Sequence, residues 1–389
     1  MSLRRVAAAG VAAAALVAAG CGGGGGSGPA TLRIYVSAPL QGGRAAEGQA
    51  IEDGARLALA DAGGRVGRFR IRGVYLDDSS PRGWSIARTA SNARRAAQDT
   101  AAIGYVGDVD SGATKVSLPI TNQAEIAQVS PASGAVDLTR ISPAGGSDPD
   151  RYRPNDKQSF ARVVPDDDVV ARAAAIWAKR EGARTFAATG DGTAFGKITE
   201  DAFASEAHAV GLRVLSQHEI RKSVEGGGGP DAVWSGISSL PNGFEKVLTV
   251  QSSLIFLPDT ILVPAFLSRI AAIQDQLRVV SPFLGPSLLP ASASPFLREF
   301  RSRFKHAPPP SAAYGYESMS LLLDAIRRAG DEGSSRAAVI DELLSTAERR
   351  SILGTYSIDG NGDTTLDAVS GYRIGDGLPV FPVKLTVPR

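Results

Sequence analysis

The short polar segment Asp110-Ser111-Gly112 contains the residue types that point most clearly to chemistry. It lies between a predicted strand and a predicted helix, so a hydroxyl and backbone N–H groups would converge at a helix N-terminus. Such groups can bind a carboxylate or another anion. The same residues also fit a helix cap, in which Ser111 serves only its own helix. The residues alone leave both interpretations open.

Residue patterns typical of enzymes are missing from the chain. Neither the nucleophile elbow G-x-S-x-G nor the phosphate-binding G-x-x-x-x-G-K-[ST] occurs. Metal-ligand spacing is not found among the three histidines, which are His208, His218 and His306. The glycine spacing after one predicted strand, at Gly190, Gly192 and Gly196, misses the dinucleotide-binding fingerprint. We therefore expect a protein that is not an enzyme and that uses no cofactor and no metal.

One run of residues, Asp359-Gly360-Asn361-Gly362-Asp363, is similar to the start of a calcium-binding loop. Its sixth position is Thr364 rather than glycine, and Ser370 occupies the twelfth, where glutamate is expected. We predict a tight turn between two strands instead.

Strands and helices that alternate along the chain would position these segments. Apolar residues alternate along residues 31–36 and then recur at helical spacing from Ile51 to Ala62. The same two patterns of apolar spacing predict further strands at 71–76, 102–106, 126–129, 185–189, 212–220, 231–234, 253–257 and 356–358. They predict further helices at 86–97, 112–124, 166–181, 197–210 and 312–329. The fold class is therefore α/β, with two lobes built on doubly wound parallel sheets.

Ligands of open parallel sheets bind beyond the carboxyl ends of the strands. The segments that follow the predicted strands are therefore the place to look for a site. They are residues 38–44, 77–81, 107–114 and 130–134 in the first half, and 190–196, 235–239 and 258–260 in the second.

The first residues have the features of an export signal that ends at a lipid-attachment site. Arg4 and Arg5 precede a run of small apolar residues, and Cys21, the only cysteine, follows Ala18-Ala19-Gly20. We predict a signal peptide over residues 1–20, lipid attachment at Cys21 and a flexible glycine-rich tether over 21–30. The alternative is an ordinary secretion signal with an incidental cysteine.

Composition limits the partners of the protein. The formal net charge is only +2 and the basic residues are scattered, so nucleic acid is not expected. After the signal, no apolar run reaches the roughly 20 residues of a transmembrane helix. Contact with the membrane is therefore expected through the anchor alone.

A series of short motifs runs through the chain in a fixed order: Ser37-Ala38-Pro39-Leu40-Gln41-Gly42, Asp53-Gly54-Ala55, Asp77-Asp78, 107–114 (GDVDSGAT), Ser130-Pro131-Ala132, Leu138-Thr139, Phe195-Gly196, 312–319 (AAYGYESM) and 356–359 (YSID). In order and spacing they resemble the leucine/isoleucine/valine-binding protein family. These are the substrate-binding lipoproteins of branched-chain amino-acid-type ABC transporters.

The resemblance implies a type 1 periplasmic binding protein fold. Its lobes would be residues 31–162 plus 282–350 and residues 163–281 plus 351–389, joined by three hinge crossovers near 163, 282 and 351.

The resemblance also assigns ligand contacts in the first lobe. The ligand's carboxylate would be bound by Ser111 and by the backbone at Ala132. A threonine usually assists two residues further on. Here that position is Gly134, with Ser133 beside it.

In the second lobe the resemblance assigns two aromatic positions, one of which has no ring in this chain, and one acidic residue. Phe195 would lie over the ligand, and Asp259 would meet its α-ammonium group. Another family aromatic falls at residues 237–239, which contain no ring, although Trp234 is close by.

Together these features predict an extracytoplasmic solute-binding lipoprotein of an ABC importer. It would capture an amino acid or a related small polar ligand between its lobes and deliver it to the permease subunits. It would be lipid-anchored to the cell membrane. The alternative is a ligand-sensing lipoprotein of the same fold that regulates a partner without transport.

Overall fold

A computed structural model describes residues 30–141, 148–190, 192, 194–236, 254–262, 271–375 and 378–388. The predicted signal peptide, Cys21 and most of the predicted tether lie outside these residues, as do residues 237–239.

Most of the predicted strands are present, together with others that were not predicted. In chain order the described strands are β1 (Thr31–Ala38), β2 (Arg65–Val66), β3 (Phe69–Asp77), β4 (Ser79–Ser80), β5 (Gly83–Trp84), β6 (Ala102–Val106), β7 (Ala127–Ser130), β8 (Phe160–Arg162), β9 (Thr185–Gly190), β10 (Arg213–Val214), β11 (Ala232–Gly236), β12 (Leu254–Pro258), β13 (Leu277–Ser281), β14 (Arg349–Arg350), β15 (Thr355–Tyr356), β16 (Ala368–Gly375) and β17 (Leu378–Thr386).

The helices follow the predicted amphipathic segments and add three that were not predicted, at 217–225, 294–304 and 336–344. They are α1 (Ala45–Asp61), α2 (Ile86–Gln98), α3 (Ser111–Gln123), α4 (Asp167–Arg180), α5 (Ala194–Ala209), α6 (Gln217–Glu225), α7 (Ser294–Phe304), α8 (Pro310–Arg328) and α9 (Arg336–Leu344).

The strands form two large sheets. The first has the order β2-β3-β1-β6-β7-β8 and the second the order β10-β9-β11-β12-β13-β16-β17. This confirms the α/β class. The sheets are mixed rather than purely parallel, because β2 pairs antiparallel with β3, and β16 pairs antiparallel with both β13 and β17. Consecutive strands joined by a short connection can only pair antiparallel, which accounts for β2–β3 and β16–β17.

The predicted strand over residues 212–220 is wrong. Only Arg213 and Val214 are extended, and α6 begins at Gln217. The sequence Ser216-Gln217-His218-Glu219 forms a capping box. The Ser216 N–H donates to Glu219 Oε2 (2.8 Å), and the Glu219 N–H donates to Ser216 Oγ (3.3 Å). This reciprocal pair stabilises a helix start.

Helices α1 and α8 cross at van der Waals contact on one face of the first sheet. A Cβ at Gly54 would overlap the Ala312 carbonyl, and one at Gly315 would overlap the Ile51 carbonyl. The two glycines therefore allow the backbones to touch, and the surrounding apolar residues form the largest buried cluster.

The run from Asp359 to Asp363 is a turn. Ile358 forms an antiparallel bridge with Thr364, and Asp359 Oδ1 accepts hydrogen bonds from the N–H groups of Asn361 and Asp363 (both 2.9 Å). Within the described ranges no group of three potential ligands is arranged to bind a metal ion. In the same ranges, no helix is both long and apolar enough to cross a membrane.

Candidate functional site

The carboxyl ends of the first sheet bring four polar loops to one edge. Strands β3, β1, β6, β7 and β8 are parallel, so the segments that follow them lie side by side. Two of these loops, residues 107–112 and 130–135, contain the predicted anion-binding residues, and we call them the cradle. The geometry of the cradle decides what this edge of the sheet can bind.

Ser111 is the first residue of α3 and is half-buried at the cradle. Its Oγ accepts a hydrogen bond from the Ala135 N–H (3.1 Å), outside its own helix, and the N-cap position belongs to Asp110. Ser111 therefore does not act as the helix cap. A serine hydroxyl that accepts one bond still has its proton to donate. The structure thus fixes the oxygen of Ser111 while leaving a donor available.

Ala132 lies in the second cradle loop and is only partly buried. Its N–H donates to Ser130 Oγ (3.2 Å), and its methyl group packs with Ala38, Ile51 and Val109. Ala132 and Ser111 belong to adjacent loops, because Ala135 of the second loop bonds Ser111 of the first.

Ser133 lies below the surface of the cradle. It is fully buried, its Oγ donates to the Asp108 carbonyl (3.0 Å), and the Thr114 hydroxyl lies 2.7 Å away. With those partners its hydroxyl is occupied within the protein, so the structure places Ser133 in support of the cradle rather than on its face.

Gly134 stands where the resemblance expects a threonine, and the structure supplies a reason. The side chain of Asp167, from the first turn of α4, occupies the space that a Cβ at Gly134 would need. The Asp167 N–H also donates to the Gly134 carbonyl (2.9 Å). Burial raises the pKa of the Asp167 carboxyl to about 7, so it can carry a proton near neutral pH.

Trp234 is a core residue of the second sheet. Its ring is 1% exposed and stacks on Phe203 with centroids 3.4 Å apart and planes 8° from parallel. The structure therefore does not bring Trp234 to the cradle. Phe195 belongs to the first turn of α5, and its side chain lies outside the described part of the structure.

Asp259 follows β12 directly, and its carboxyl group is bound by Ser281. Its Oδ2 accepts a hydrogen bond from Ser281 Oγ (2.5 Å). Burial, followed by the negative charge of Glu47, raises its pKa to about 6, while Ser281 and the Arg44 guanidinium act in the opposite direction. Asp259 is therefore an acid that ionises close to neutral pH, under the influence of Arg44 and Glu47, which follow β1 in the chain.

A charged triad beside the cradle was not predicted. Arg44 forms a two-bond ion pair with Glu47 (2.7 and 3.0 Å) and bonds Asp110 Oδ1 (2.6 Å). Together with Asp259, this triad forms a charged group of three carboxylates and one guanidinium. The signal for this triad was an arginine and an aspartate in two loops that had both been predicted at the same sheet edge.

An indole also lies against the cradle. Trp84, at the end of β5, is half-buried, and its Cζ2 atom would be 2.6 Å from a Cβ at Gly112. Only glycine allows the ring to approach α3 this closely.

Sequence comparison establishes the wider relationship. Residues 31–223 match the family described as periplasmic binding protein. Residues 31–223 therefore form a domain of this periplasmic binding protein family. None of the curated proteins matches the sequence.

Solved periplasmic binding proteins share the fold along nearly the whole chain. A leucine-binding protein from Thermotoga maritima has a TM-score of 0.72 at 21% identity, covering 91% of this chain and 99% of its own. A substrate-binding protein from Desulfitobacterium hafniense in complex with leucine has a TM-score of 0.70 at 20% identity, with 90% and 99% covered. A solute-binding protein from Rhodopseudomonas palustris in complex with benzoate has a TM-score of 0.67 at 18% identity, with 92% and 96% covered. The type 1 periplasmic binding protein fold and the resemblance to leucine/isoleucine/valine-binding proteins are confirmed. The family is one of solute-binding proteins.

The cradle is tied to the first predicted crossover by Arg162. This side chain is completely buried and bonds Asp363 Oδ1 (2.7 Å) and Thr139 Oγ1 (2.6 Å). It also donates to the carbonyls of Ser133 (3.0 Å) and Ala135 (2.8 Å). One guanidinium thus joins the cradle backbone to the turn before β16.

Proposed function

We propose that this protein is an extracytoplasmic solute-binding lipoprotein of an ABC importer. It captures an amino acid or a related small polar ligand in a cleft between two lobes, residues 31–162 plus 282–350 and residues 163–281 plus 351–389. The lobes close over the ligand, and permease subunits recognise the closed form. Cys21 carries the lipid that anchors the protein to the membrane.

The observation that carries this proposal is the Ser111 hydroxyl. Its oxygen is held by the Ala135 N–H, its proton is available, and it lies at the carboxyl edge of a parallel sheet. This arrangement suits an anionic group of a ligand. Leucine and benzoate, bound by two of the structurally similar proteins, are both carboxylates.

The charged side chains of the Arg44–Glu47–Asp110 triad and of Asp259 favour a polar ligand over a purely aliphatic one. Asp259 is suited to an ammonium group, since a cation would relieve the repulsion that it experiences from Glu47. An amino acid or an amino-acid amide combines this cation with a polar group for the cradle. We therefore assign the carboxylate end to Ser111 and Ala132, the ammonium end to Asp259 and a stacking role to Phe195.

Thermal-shift screening tests the proposal directly. Purified mature protein is melted with leucine, isoleucine, polar amino acids, their amides, benzoate and decanoate. A specific ligand raises Tm, and the stabilisation grows with the logarithm of its concentration relative to its Kd. A rise with amino acids that decanoate does not produce supports the proposal, and no rise with any carboxylate or amide contradicts it.

A further inference from the structure

Two buried aspartates, Asp78 and Asp108, lie on either side of the end of β1. Asp78 follows β3 and Asp108 follows β6, and β1 lies between these strands. Both residues are 0% exposed. The Asp78 N–H donates to the Ala38 carbonyl (3.2 Å), and a Cβ at Gly107 would lie 2.7 Å from the Ser37 carbonyl, so the two aspartates flank the same end of β1. Each carboxyl group influences the ionisation of the other.

The pair lacks the donors that two ionised carboxylates would need. Neither oxygen of Asp78 has a hydrogen-bond donor among the residues that the structure describes, and the same is true of Asp108 Oδ2. An ionised carboxylate only accepts, and a buried one without donors is costly. A single proton between the two groups supplies the missing donor and removes one of the two charges.

The surroundings decide which aspartate keeps the proton. Burial raises the pKa of both carboxyl groups. Asp108 is also faced by hydroxyl groups that favour its charged form, from Ser117, Ser37 and Tyr105. Asp78 is faced by negative charges that disfavour its ionisation, from Asp108, Asp110 and Asp77. Asp78 is therefore the donor and Asp108 the acceptor.

Two nearby cations, Arg44 and Arg88, are bound to other acids. Arg44 pairs with Asp110 (2.6 Å) and Arg88 with Asp77 (3.0 Å). Neither replaces the proton as the counter-charge of the buried pair.

The backbone of Asp108 supports both loops of the cradle. Its carbonyl accepts hydrogen bonds from Ser130 Oγ (2.8 Å) and Ser133 Oγ (3.0 Å), and its N–H donates to Thr114 Oγ1 (3.2 Å). The Ser130 oxygen in turn accepts from the Ala132 N–H (3.2 Å). Any movement of Asp108 would therefore reach Ala132 through two hydrogen bonds.

We propose that Asp78 and Asp108 share one proton and that this carboxyl pair positions the cradle. Both are positioning residues, since they act through the backbone of Asp108. Loss of the shared proton would place two negative charges in a buried site and loosen the cradle. A carboxyl whose pKa is raised by folding stabilises most below its ordinary pKa and loses that contribution as pH rises through the raised value. The pair should therefore make the protein less stable from weakly acidic to alkaline pH.

The test is the pH dependence of Tm for Asp78→Asn, which needs no ligand. The asparagine amide has nearly the shape of the acid and donates permanently to Asp108. We expect the variant to melt as high as the wild type at pH 6 and roughly 2–4 °C higher at pH 9, the shift produced by about 1 kcal/mol in a domain of this size. Asp341→Asn, at an exposed position of α9, is the matched control and should keep the wild-type profile.

Asp78→Leu separates the proton from simple packing. Leucine fills the space but cannot donate, so it should melt below Asp78→Asn at every pH. Equal loss of Tm in both variants, with the wild-type pH slope retained, would overturn the shared proton. The outcome is independent of the proposed transport function, because failure of ligand screening would leave these melting profiles unchanged.

Discussion

Removal of the Ser111 hydroxyl should weaken ligand binding and lower stability by separable amounts. In the free protein, Ser111→Ala loses the bond from the Ala135 N–H, worth about 0.5–1.5 kcal/mol. In the complex it also loses a hydrogen bond to a charged carboxylate, worth about 1.5–3 kcal/mol, which corresponds to roughly 10- to 150-fold in Kd. We expect a small drop in Tm and a much larger loss of affinity.

Isothermal titration with the ligand found by thermal shift measures the affinity term, and urea unfolding measures the stability term. Ser133→Ala is the matched control, since it removes a buried hydroxyl of the same cradle whose partners are both within the protein. It should lower stability and leave Kd within a few-fold of the wild type. If Ser133→Ala weakens binding and Ser111→Ala does not, the assignment of the cradle face is refuted.

Three further perturbations test other parts of the proposal. Asp259→Asn should weaken an amino-acid ligand by ~2 kcal/mol or more. Wild-type affinity for that ligand should rise from pH 5 to 7 as the carboxyl, with its pKa of about 6, becomes charged. A flat titration profile, or tighter binding by the asparagine variant, would point to a purely anionic ligand. Cys21→Ala should release the protein from membranes into the soluble fraction, and continued sedimentation in cells without the permease would contradict the anchor. Arg162→Met should cost about 3–5 kcal/mol in urea unfolding, because Asp363 and two carbonyls lose a buried partner. A loss below ~1 kcal/mol would show that the guanidinium is dispensable.

The alternation of strands and helices was predictable because each element carries its own period. Strand β1 and helix α4 match their predicted positions within two residues, and Asp166 caps α4 by accepting from the Val169 N–H (3.0 Å). The error at residues 212–220 arose where apolar residues suggested a strand, while the capping box at Ser216 and Glu219 gave the opposite local signal. Local chemistry decided that segment.

The site was predictable in its place and less so in its contacts. Sheet topology alone brings Ser111 and Ala132 to one edge. Arg44 and Asp110 are 66 residues apart in the chain. No periodic pattern in the sequence indicates that two residues so far apart will form an ion pair. The burial of Trp234 in the core could not be predicted for a related reason. A ring in a strand points to one of two faces, and the register that turns it towards Phe203 is fixed only by tertiary packing.

The position of Trp84 gives the protein an internal optical reporter. The chain has three tryptophans, and the other two, Trp177 and Trp234, are 5% and 1% exposed in the core of the second sheet. Trp84 alone touches the cradle, through Gly112. Occupation of the cradle should therefore change the emission of one half-buried indole against a constant background from two buried ones. Binding can therefore be followed by fluorescence without a label. A shift in the emission wavelength of Trp84 would report whether water enters or leaves the cradle.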